Sequence, residues 1–449
     1  MDNIERLKAM AQRAVDSRRE WLISASTTVL NRPESGFREV ETSRLVSDRF
    51  SELRIPHQKG IAITGLKGRL EGTYPGPTVA ILCELDALPA PDHPHADPDT
   101  GVAHACGHHT QVGVLLGAAV ALTNPDVLCE LSGNIVLMAV PAEEFVNIED
   151  RWNLYQEGKI GLFSGKQEFI RLGAFDDSDI AIMSHTSASP SDGKFALGGT
   201  SNGHVGKYVR FKGKASHAGS APHYGVNALQ AAMVGLNALN SQRETLREQD
   251  VIRMHGILIA GGTSVNAVPD DVRYEGRVRA RTFEAIQETS EKMDRCLRAG
   301  ALALGASVRI VTVPGYMPII NNPLLMETFK QNAIQLVREN GVVHYSDVRN
   351  EGGSTDMGDL SQIIPSIHPY TGGATGTGHG NDYLIMDYDQ AVIKPAKAIA
   401  MSVIDLLSEG AAGATEVITN NSPPMTKETY LAFQQGRLTD HLYDCRTGI

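Results

Sequence analysis

The sequence predicts an α/β fold, in which helices flank a central and mostly parallel sheet, with a smaller α+β unit inserted into it. Two observations predict this fold class. Short apolar runs that end in turns rich in functional side chains alternate with segments long enough to form a helix. From about residue 204 the order changes to β-α-β-β-α-β, which predicts a ferredoxin-like unit. At 449 residues the chain is also too long for one simple core.

The elements of the first unit follow one another along the chain. The stretch MDNIERLKAMAQRAVDSRREWLISAS has periodic apolar positions interrupted by charges, which is typical of an amphipathic helix. Three apolar runs predict buried strands: TVAILCELDALP, GNIVLMAVPAEE and DIAIMSHTS. The run VGVLLGAAVAL, which follows HACGHHTQ, predicts another helix.

The inserted unit begins with the predicted strand GHVGKYVRFKGKASHAG and the helix GVNALQAAMVGLNALNSQ. Paired strands follow in IRMHGILIAGGTSVNAVPDDVRYEGRVRARTF, and EAIQETSEKMDRCLRAGALALGA predicts a second helix. The first unit then resumes with PLLMETFKQNAIQLVREN and closes on QAVIKPAKAIAMSVIDLLSEG. We therefore expect domain segments of 1–203, 204–312 and 313–449, while the polar tail from NNSPP onward indicates no function.

Composition excludes several partners. The net charge of −11 is spread along the chain without a basic run, so neither nucleic acid nor an anionic membrane surface is an expected partner. The N-terminal stretch lacks the apolar core of a signal peptide, and no window approaches the roughly 20 apolar residues of a membrane span. The cysteines are scattered without a disulfide-rich spacing, which predicts a reducing, cytoplasmic location: Cys83, Cys106, Cys129, Cys296 and Cys445.

Cys106 and His108 stand two residues apart at the predicted start of a helix. A thiolate and an imidazole at this spacing can turn toward one ion, and the glycine between them lets the backbone bend. The positive end of the helix dipole would also stabilise the thiolate. A lone Cys-x-His is more often a small buried thiol beside polar loop histidines, so the interpretation depends on further ligands.

Glu143 and Glu144 follow the apolar run NIVLMAVPA and so lie at the end of a predicted buried strand. Consecutive side chains on extended backbone point to opposite sides, so one carboxylate can bind an ion while the other addresses a water beside it. This arrangement suits a metal-assisted hydrolase, in which the second acid is a general base with a raised pKa. The alternative is a solvated acidic turn, the commoner fate of an isolated Glu-Glu pair.

Two further loops supply candidate ligands. His185 follows the apolar strand in IAIMSHTS, and His379 lies in the glycine-rich turn GTGHGND before the last predicted helix. Each histidine alone is more often a satisfied polar group than a ligand. Together with Cys106, His108 and Glu144 they form a five-ligand set drawn from strand ends, where α/β folds assemble their sites.

An ordered series of motifs resembles the metal-dependent aminoacylase and carboxypeptidase-like amidohydrolases. The motifs are ELDALP, HACGH, PAEE, SHAGSAPH, SVNAVPDD, RTF, GSTDMGDLSQIIPSIHPY and GHGNDY, and they extend over about residues 30–410. The segment GSTDMGDLSQIIPSIHPY is most similar to the branch of aminobenzoyl-glutamate hydrolase and the β-alanyl-lysine dipeptidases. The resemblance implies a metal-binding catalytic domain with an inserted lid and dimerisation domain.

The resemblance also implies a two-metal site and roles for individual residues. Glu143 would be the general base that deprotonates water and later protonates the leaving nitrogen, and Asp86 would be an acid that orients a metal-bound group. The implied metal ligands, with the cysteine in place of the usual bridging aspartate, are Cys106, His108, Glu144, His185 and His379.

Three residues of the inserted unit match substrate-contacting positions of the family. His217 in KASHAG matches a histidine that reaches across a dimer to polarise the scissile carbonyl, and Asn266 matches a nearby amide donor. Arg281 lies in the RTF motif, which in relatives can grip a substrate carboxylate by two hydrogen bonds. The other arginines of its strand have the same parity and would alternatively form a solvated basic face: Arg273, Arg277 and Arg279.

The sequence departs from the family pattern at two places. Many relatives have Cys-Gly-His-Asp, whereas here His109 follows His108 directly, so His109 is a reserve ligand. After the Glu pair stands the enlarged segment FVNIEDRWNLYQEGKIGLFSGKQEFIRLG, which we expect to shape the pocket.

Three functions remain open from the sequence. The first is a metal-dependent hydrolase that cleaves the C–N bond of an N-acyl amino acid, an aryl amide or a dipeptide. The second is an aminohydrolase that releases ammonia from an aromatic amine such as a nitroanthranilate, which the enlarged segment motivates. The third is a noncatalytic metal-binding or peptide-binding protein, although a binder has no need of the base Glu143.

The cofactor and the partners follow from the same residues. Thiolate and imidazole ligands favour Zn²⁺, while a carboxylate-containing open site also works with Mn²⁺ or Co²⁺, and we expect one or two ions per subunit. The expected partners are a small-molecule substrate and, from the resemblance, a second copy of the chain in a homodimer through the inserted domain.

Overall fold

The protein folds around two large β-sheets, which the computed structural model describes over residues 3–350 and 352–444. The helices are α1 Asn3–Ser17, α2 Arg19–Leu30, α3 Val40–Glu52, α4 His108–Leu122, α5 Pro125–Leu128, α6 Ile148–Gln156, α7 Gly165–Arg171, α8 Ala228–Ser241, α9 Phe283–Leu304, α10 Pro323–Val337, α11 Met357–Ser361, α12 Lys394–Leu407, α13 Ala412–Thr419 and α14 Lys427–Gly436.

The strands complete the secondary structure. They are β1 His57–Ile61, β2 Gly65–Glu71, β3 Tyr74–Glu84, β4 Leu88–Pro89, β5 Val102–Ala103, β6 Ser132–Val140, β7 Ile180–Ile182, β8 His185–Thr186, β9 Phe195–Thr200, β10 Gly203–Lys212, β11 Arg253–Ala260, β12 Asp271–Ala280, β13 Ser307–Pro314, β14 Val342–Asn350, β15 Ser366–Ile367, β16 Tyr370–Thr371, β17 Ala374–Thr375, β18 Leu384–Ile385 and β19 Thr439–Asp444.

The central sheet has six strands in the order β1-β2-β6-β3-β7-β15. The neighbours β6–β3, β3–β7 and β7–β15 are parallel, whereas β1–β2 and β2–β6 are antiparallel. Parallel strands are covered on both faces and therefore read as continuous apolar runs, as in the buried second half of β3. The predicted α/β class with a mostly parallel central sheet is confirmed.

Helix α4 is buried along its whole length, including its polar first turn. It packs against α2, α12 and the sheet strand β3, so the residues at its start lie inside the molecule. The helix is preceded by Gly107 with a φ of +90°, a conformation that favours glycine. A Cβ atom there would come within 2.3 Å of the hydroxyl of Thr186, so this bend requires glycine.

The second large sheet has the order β11-β12-β10-β13-β19 and is antiparallel throughout. Helices α8 and α9 pack on it around a separate apolar core. The chain order β10-α8-β11-β12-α9-β13 is the predicted β-α-β-β-α-β order. The fifth strand, β19, comes from the tail, for which the sequence indicated no place. The segments 1–203, 204–312 and 313–449 stay a prediction as domain limits.

Two further features concern membranes and thiols. Within residues 3–350 and 352–444, none of the helices combines the length and the apolar character that crossing a bilayer requires. In the same ranges the cysteines are free thiols: Cys83, Cys106, Cys129 and Cys296. Cys445 lies outside the described residues.

Candidate metal centre

Loops at one edge of the central sheet carry the five candidate ligands. The edge forms where the parallel strands β3, β6 and β7 end, because the carboxyl ends of parallel strands lie on the same side. The ligands are Cys106 and His108 around the start of α4, Glu144 after β6, His185 at the start of β8 and His379 between β17 and β18.

The five side chains form two groups that share the thiol of Cys106. One group adds His108 and His185, the other adds Glu144 and His379, and within each group the ligand atoms lie within 4.8 Å of one another. Sγ of Cys106 lies 3.4 Å from Nε2 of His185. Oε1 of Glu144 lies 3.3 Å from Nε2 of His379. A sulfur between two such groups can bridge two cations.

The unpaired atoms of the cluster fit metal ions. Nε2 of His108 and Oε1 of Glu144 are buried and make no hydrogen bond of acceptable geometry. Other polar atoms are nevertheless close, since Oε2 of Glu84 lies 3.2 Å from Nε2 of His108 and His379 approaches Glu144. Buried polar atoms normally find a partner, so closely spaced metal-ligating atoms of this kind fit a bound cation. Thiolate, imidazole and carboxylate together form a ligand set for divalent transition metals.

The electrostatics of the cluster favour ionised ligands. Burial and the Glu144 carboxylate oppose ionisation of the Cys106 thiol, but the neighbouring histidines outweigh them and lower its pKa to about 6. The carboxylate of Glu144 and then the thiolate raise the pKa of His379 to about 11. The thiolate is the form that binds metal, whereas the imidazolium of His379 must release its proton to become a ligand. The negative charge that raises the pKa of His379 is the charge that a bound cation would compensate. The side chain of His379 is 53% exposed, and the cluster is therefore open on that side.

Glu143 and Glu144 have opposite acidities although they are adjacent. Burial, Glu84 and Glu144 raise the pKa of Glu143 well above its usual range. For Glu144 the same burial is outweighed by His379 and His108, which hold its pKa far below that range. Two carboxyls whose environments separate their pKa values in this way suit different tasks, one as a proton acceptor and one as an anionic ligand.

Asp86 orients both halves of the site. Its carboxylate accepts hydrogen bonds from the backbone N–H groups of Glu143, at 3.1 Å, and Glu144, at 2.8 Å. Its backbone carbonyl lies 2.9 Å from Nδ1 of His108, which turns Nε2 of that ring toward the cluster. Nδ1 of His185 is held in the same manner, 2.7 Å from the carbonyl of Thr186.

A buried chain of charges behind His108 was not predicted from the sequence. The ammonium of Lys166 lies 2.5 Å from a carboxylate oxygen of Glu84 and 2.5 Å from one of Asp356, and all three side chains are almost completely buried. Glu84, His108 and Glu143 form a third group with ligand spacing. In this third group the ammonium of Lys166 already balances the negative charge of Glu84. Lys166 belongs to the enlarged segment, whose departure from the family pattern was the signal available in the sequence.

His109 lies apart from the two groups that share Cys106. Among residues 3–350 and 352–444 the candidate ligand groups do not include it. Its Nε2 lies 3.4 Å from the hydroxyl of Tyr388, and its ring lies 5.5 Å from that of His104 on the other side. The structure therefore does not bring the reserve ligand His109 into either candidate ligand group.

His217 and Asn266 lie next to each other in two loops of the inserted unit, outside its named strands. The backbone N–H of Ala218 donates to the carbonyl of Asn266 at 2.9 Å, and His217 pairs with Ala267 in a β-bridge. Both side chains are exposed, and neither lines the cleft beside Glu144. Within the described chain the structure therefore does not bring them to the metal centre.

The arginines of the inserted unit have different surroundings. A cleft of about 360 Å³ beside Glu144 and His379 is lined by Arg277 and Arg279 of β12. Burial and Arg279 lower the pKa of Arg277 to about 10. Arg281 follows the end of β12 and donates instead to the carbonyl of Val348, at 2.9 Å.

Comparison with known sequences identifies relatives of the whole chain. The sequence model of peptidase family M20/M25/M40 matches residues 80–400. The mouse Xaa-Arg dipeptidase is 28% identical over 427 residues, which cover 90% of this chain and 90% of the mouse protein. Thermostable carboxypeptidase 2 of Saccharolobus solfataricus is 30% identical over 337 residues, 72% of this chain and 79% of its own length.

Comparison of structures gives a matching result. A Bacillus subtilis protein described as a dinuclear metal-binding peptidase of the M20 family superposes with a TM-score of 0.63 and 21% sequence identity. The superposition covers 87% of this chain and 99% of the other. At this identity the likeness shows a shared fold.

Proposed function

The chain belongs to peptidase family M20/M25/M40, and we propose on that premise that it cleaves the amide bond of an N-acyl amino acid, an aryl amide or a dipeptide. Membership makes it a hydrolase of carbon–nitrogen bonds that depends on a divalent metal. The noncatalytic alternative is therefore set aside. The observation that carries the proposal is the pair of ligand groups that share the Cys106 thiol beside Glu143.

Two ions are proposed for the cluster. Cys106, His108 and His185 would hold one, and Cys106, Glu144 and His379 would hold the other. When bound, such ions polarise a carbonyl oxygen and make water a stronger nucleophile at neutral pH. The ligand types favour Zn²⁺, and Mn²⁺ or Co²⁺ also fit a site that contains a carboxylate.

Glu143 is the proposed proton carrier. Its carboxylate accepts a proton from the attacking water and passes that proton to the leaving nitrogen as the C–N bond breaks, so that the nitrogen leaves as an amine. The pKa of this carboxyl, raised chiefly by burial, suits both steps because the acid must be able to hold the proton between them. Asp86 keeps the base in place through the backbone N–H of Glu143.

We propose that Arg277 and Arg279 bind a carboxylate of the substrate, in place of the Arg281 that the resemblance indicated. Both line the cleft beside Glu144, and neither forms an ion pair with a carboxylate of residues 3–350 or 352–444. Arg279 donates only a long bond of 3.4 Å, to the hydroxyl of Ser354, among the described residues. Half-buried guanidinium groups without a carboxylate partner favour an anionic ligand, and the planar guanidinium matches a carboxylate through two hydrogen bonds. The substrate would thus be an amide that carries a free carboxylate.

A homodimer through the inserted unit is proposed as the complete enzyme, with 204–312 as lid and dimerisation domain. The edge strand β11 exposes neighbouring apolar side chains, with Ile257 64% and Leu258 38% accessible. Met233 and Val234 on α8 add 42% and 40% exposed side chains. An uncovered apolar edge strand is a surface that a second chain can cover. In that dimer His217 and Asn266 would reach the partner's cleft.

The test is a substrate panel that reads two products. Metal-loaded protein is incubated with acylated amino acids, dipeptides, aryl amides and aminobenzoates, and released amine and ammonia are measured separately. We expect amine release from an amide with a free carboxylate, and none from the apo protein. Ammonia release from an aminobenzoate without amide cleavage would instead establish the aminohydrolase alternative.

The enlarged segment gives that alternative little support. Its first residues, Phe145 to Ile148, line the cleft. Apolar residues from the rest of α6 and from α7 pack instead in a buried apolar cluster together with Ala142. The expectation that this segment shapes the pocket therefore applies to its first four residues.

A further inference from the structure

The turn Ala142–Glu144, which carries the proposed base and a proposed ligand, has all six of its backbone polar groups bonded to side chains. Its N–H groups donate to carboxylates, that of Ala142 to Glu39 at 2.8 Å and the next two to Asp86. Its carbonyls accept from Arg151 at both ends and from the hydroxyl of Tyr316 in the middle. Among the described residues the carbonyl of Glu144 also accepts a backbone bond, from the N–H group of Val146 at 2.6 Å. Side chains therefore supply most of the hydrogen bonds that set the conformation of the turn.

The turn also contains a conformation that it would not adopt alone. Ala142 has a φ of +56°, in the left-handed region that is unfavourable for residues with a Cβ atom. Such a residue persists only where its surroundings hold it. Glu39 holds its N–H group and Arg151 holds its carbonyl, so both flanking peptide groups are fixed.

Arg151 makes the most contacts of these side chains. Its guanidinium donates to the carbonyls of Ala142 at 3.1 Å and Val146 at 2.9 Å, and also to those of Glu144 and Phe163. The side chain is 3% exposed and forms no ion pair with a carboxylate of residues 3–350 or 352–444. The guanidinium also lies 5.3 Å from the ring centre of Phe37 and 5.1 Å from that of Phe145. A buried cation that is compensated by carbonyl dipoles and aromatic rings is unusual, and a lysine cannot reach four carbonyls from one position.

We propose that Arg151 is a positioning residue that sets Glu143 and Glu144 in their places at once, through the backbone of the turn. Glu143 belongs to the group of Glu84 and His108, and Glu144 to the group of Cys106 and His379. Because both side chains follow Ala142 directly, a rotation of the peptide there would displace both of them. Arg151 therefore couples the proton acceptor to the metal ligand. The inference about Glu143 rests on the proposed function. The inference about Glu144 rests on the ligand geometry alone.

The alternative is that Arg151 only fastens α6 to the rest of the molecule. A groove of about 710 Å³ on the outer side of the turn is lined by Arg151 together with Arg38, Asp150 and Lys159. The groove gives small solutes a path to the place of the guanidinium, so the two roles can be separated by chemical rescue. A fastening role predicts lower stability without a selective change in the reaction.

The experiment compares Arg151→Lys and Arg151→Ala with the matched control Arg38→Gln, whose exposed side chain pairs with Asp150 in the same groove. For both Arg151 variants we expect kcat to fall about 100-fold with KM changed less than about threefold, as for a displaced reacting group. Guanidinium chloride at low millimolar concentration should restore kcat of Arg151→Ala at least tenfold, and should not affect Arg38→Gln.

A second readout does not depend on the reaction. Apo proteins are titrated with Co²⁺. Two absorption signals are followed: the band of the thiolate-bound ion and the bands that report the coordination geometry of Co²⁺. We expect the Arg151 variants to bind one equivalent normally and the other at least tenfold more weakly, because Glu144 is displaced. Unchanged binding of both equivalents together with kcat within twofold of wild type would overturn the proposal.

The two proposals fail in different ways. If wild-type protein released no amine from any amide, the proposed function would fail, while the Co²⁺ titration would still decide the role of Arg151. If Arg151→Ala does not fold, Arg151→Lys decides: normal Co²⁺ binding and normal kcat in that variant would contradict positioning.

Discussion

The catalytic turn and the loop that carries His217 are built in opposite ways. In the turn Ala142–Glu144 every backbone polar group is bonded to a buried side chain of the same chain. The His217 loop is exposed. Among the described residues the ring accepts two short-range bonds, from the N–H groups of Gly219 and Ser220 to Nδ1, each 3.1 Å long.

The two regions differ in whether contacts within one chain complete them. The proposed ligands and the proposed base are held by contacts within a single chain, so their geometry does not depend on a partner. His217 has an oriented ring but no target within the described chain, and its proposed role needs a surface from elsewhere. We expect the turn Ala142–Glu144 to act within its own chain and the His217 loop to act only in a dimer.

The largest expected effect is at the base. Glu143→Gln should lower kcat by about 10³- to 10⁴-fold, because the amide cannot accept the proton of the attacking water, while bound metal stays at the wild-type level. Glu144→Gln is the matched control, and it should lose metal as well as activity. Metal content and kcat are measured on the same preparations. Wild-type turnover in Glu143→Gln would remove this residue from the reaction.

The buried charge chain should give the largest change in stability. Lys166→Met leaves Glu84 and Asp356 without their cation, and we expect the free energy of unfolding in urea to fall by about 3–5 kcal/mol. The control is Lys427→Met, which breaks a 2.6 Å pair with Asp176 at the surface. That pair should contribute less than about 1 kcal/mol. Equal losses in the two variants would contradict the assigned importance of burial.

A dimer-dependent role for His217 can be tested by mixing. His217→Ala alone should lower kcat by about 100-fold, through loss of a donor to the scissile carbonyl. When it is unfolded and refolded with an equal amount of Glu143→Gln, about a quarter of the sites should regain wild-type turnover, since mixed dimers contain one intact site. If the mixed sample has only the summed activity of the two separate variants, His217 acts in its own chain or has no role in the reaction.

The smallest expected effect concerns the arginines. Arg279→Met should raise KM by about 10- to 100-fold for substrates with a free carboxylate, because a charge-assisted hydrogen bond is lost. An analogue with a neutral amide in place of that carboxylate should be affected less than threefold. Arg281→Met is the control. A larger rise in KM for Arg281→Met than for Arg279→Met would show that Arg281 binds the substrate carboxylate, as the resemblance indicated.

The sequence predicted the elements whose signal is local. The α/β class could be predicted from the apolar runs of β3, β6 and β7 and from the turns rich in functional side chains that follow them. Each buried strand has its own local pattern. The candidate ligands Cys106, His108, Glu144, His185 and His379 could be proposed together because parallel strands end at one edge.

The features that the sequence did not predict depend on long-range contacts. Strand β19 has the polar sequence TDHLYD and is recognisable only by its pairing with β13. Arg277, Arg279 and Arg281 have the same strand parity, and they differ because β12 ends at Ala280, before Arg281. Lys166 and Arg151 bond to groups far along the chain or to backbone carbonyls, which no spacing of residue types reveals.

The central claim is that the thiolate of Cys106 is shared by two bound ions. It is tested most directly by anomalous diffraction from crystals of the metal-loaded protein, recorded on either side of the metal absorption edge. The account predicts two peaks about 3.5–4 Å apart, each within about 2.3 Å of Sγ, one beside His108 and His185 and the other beside Glu144 and His379. Peaks that lie beyond the reach of Cys106, or a single ion that contacts only one of the two groups at saturating metal, would contradict it.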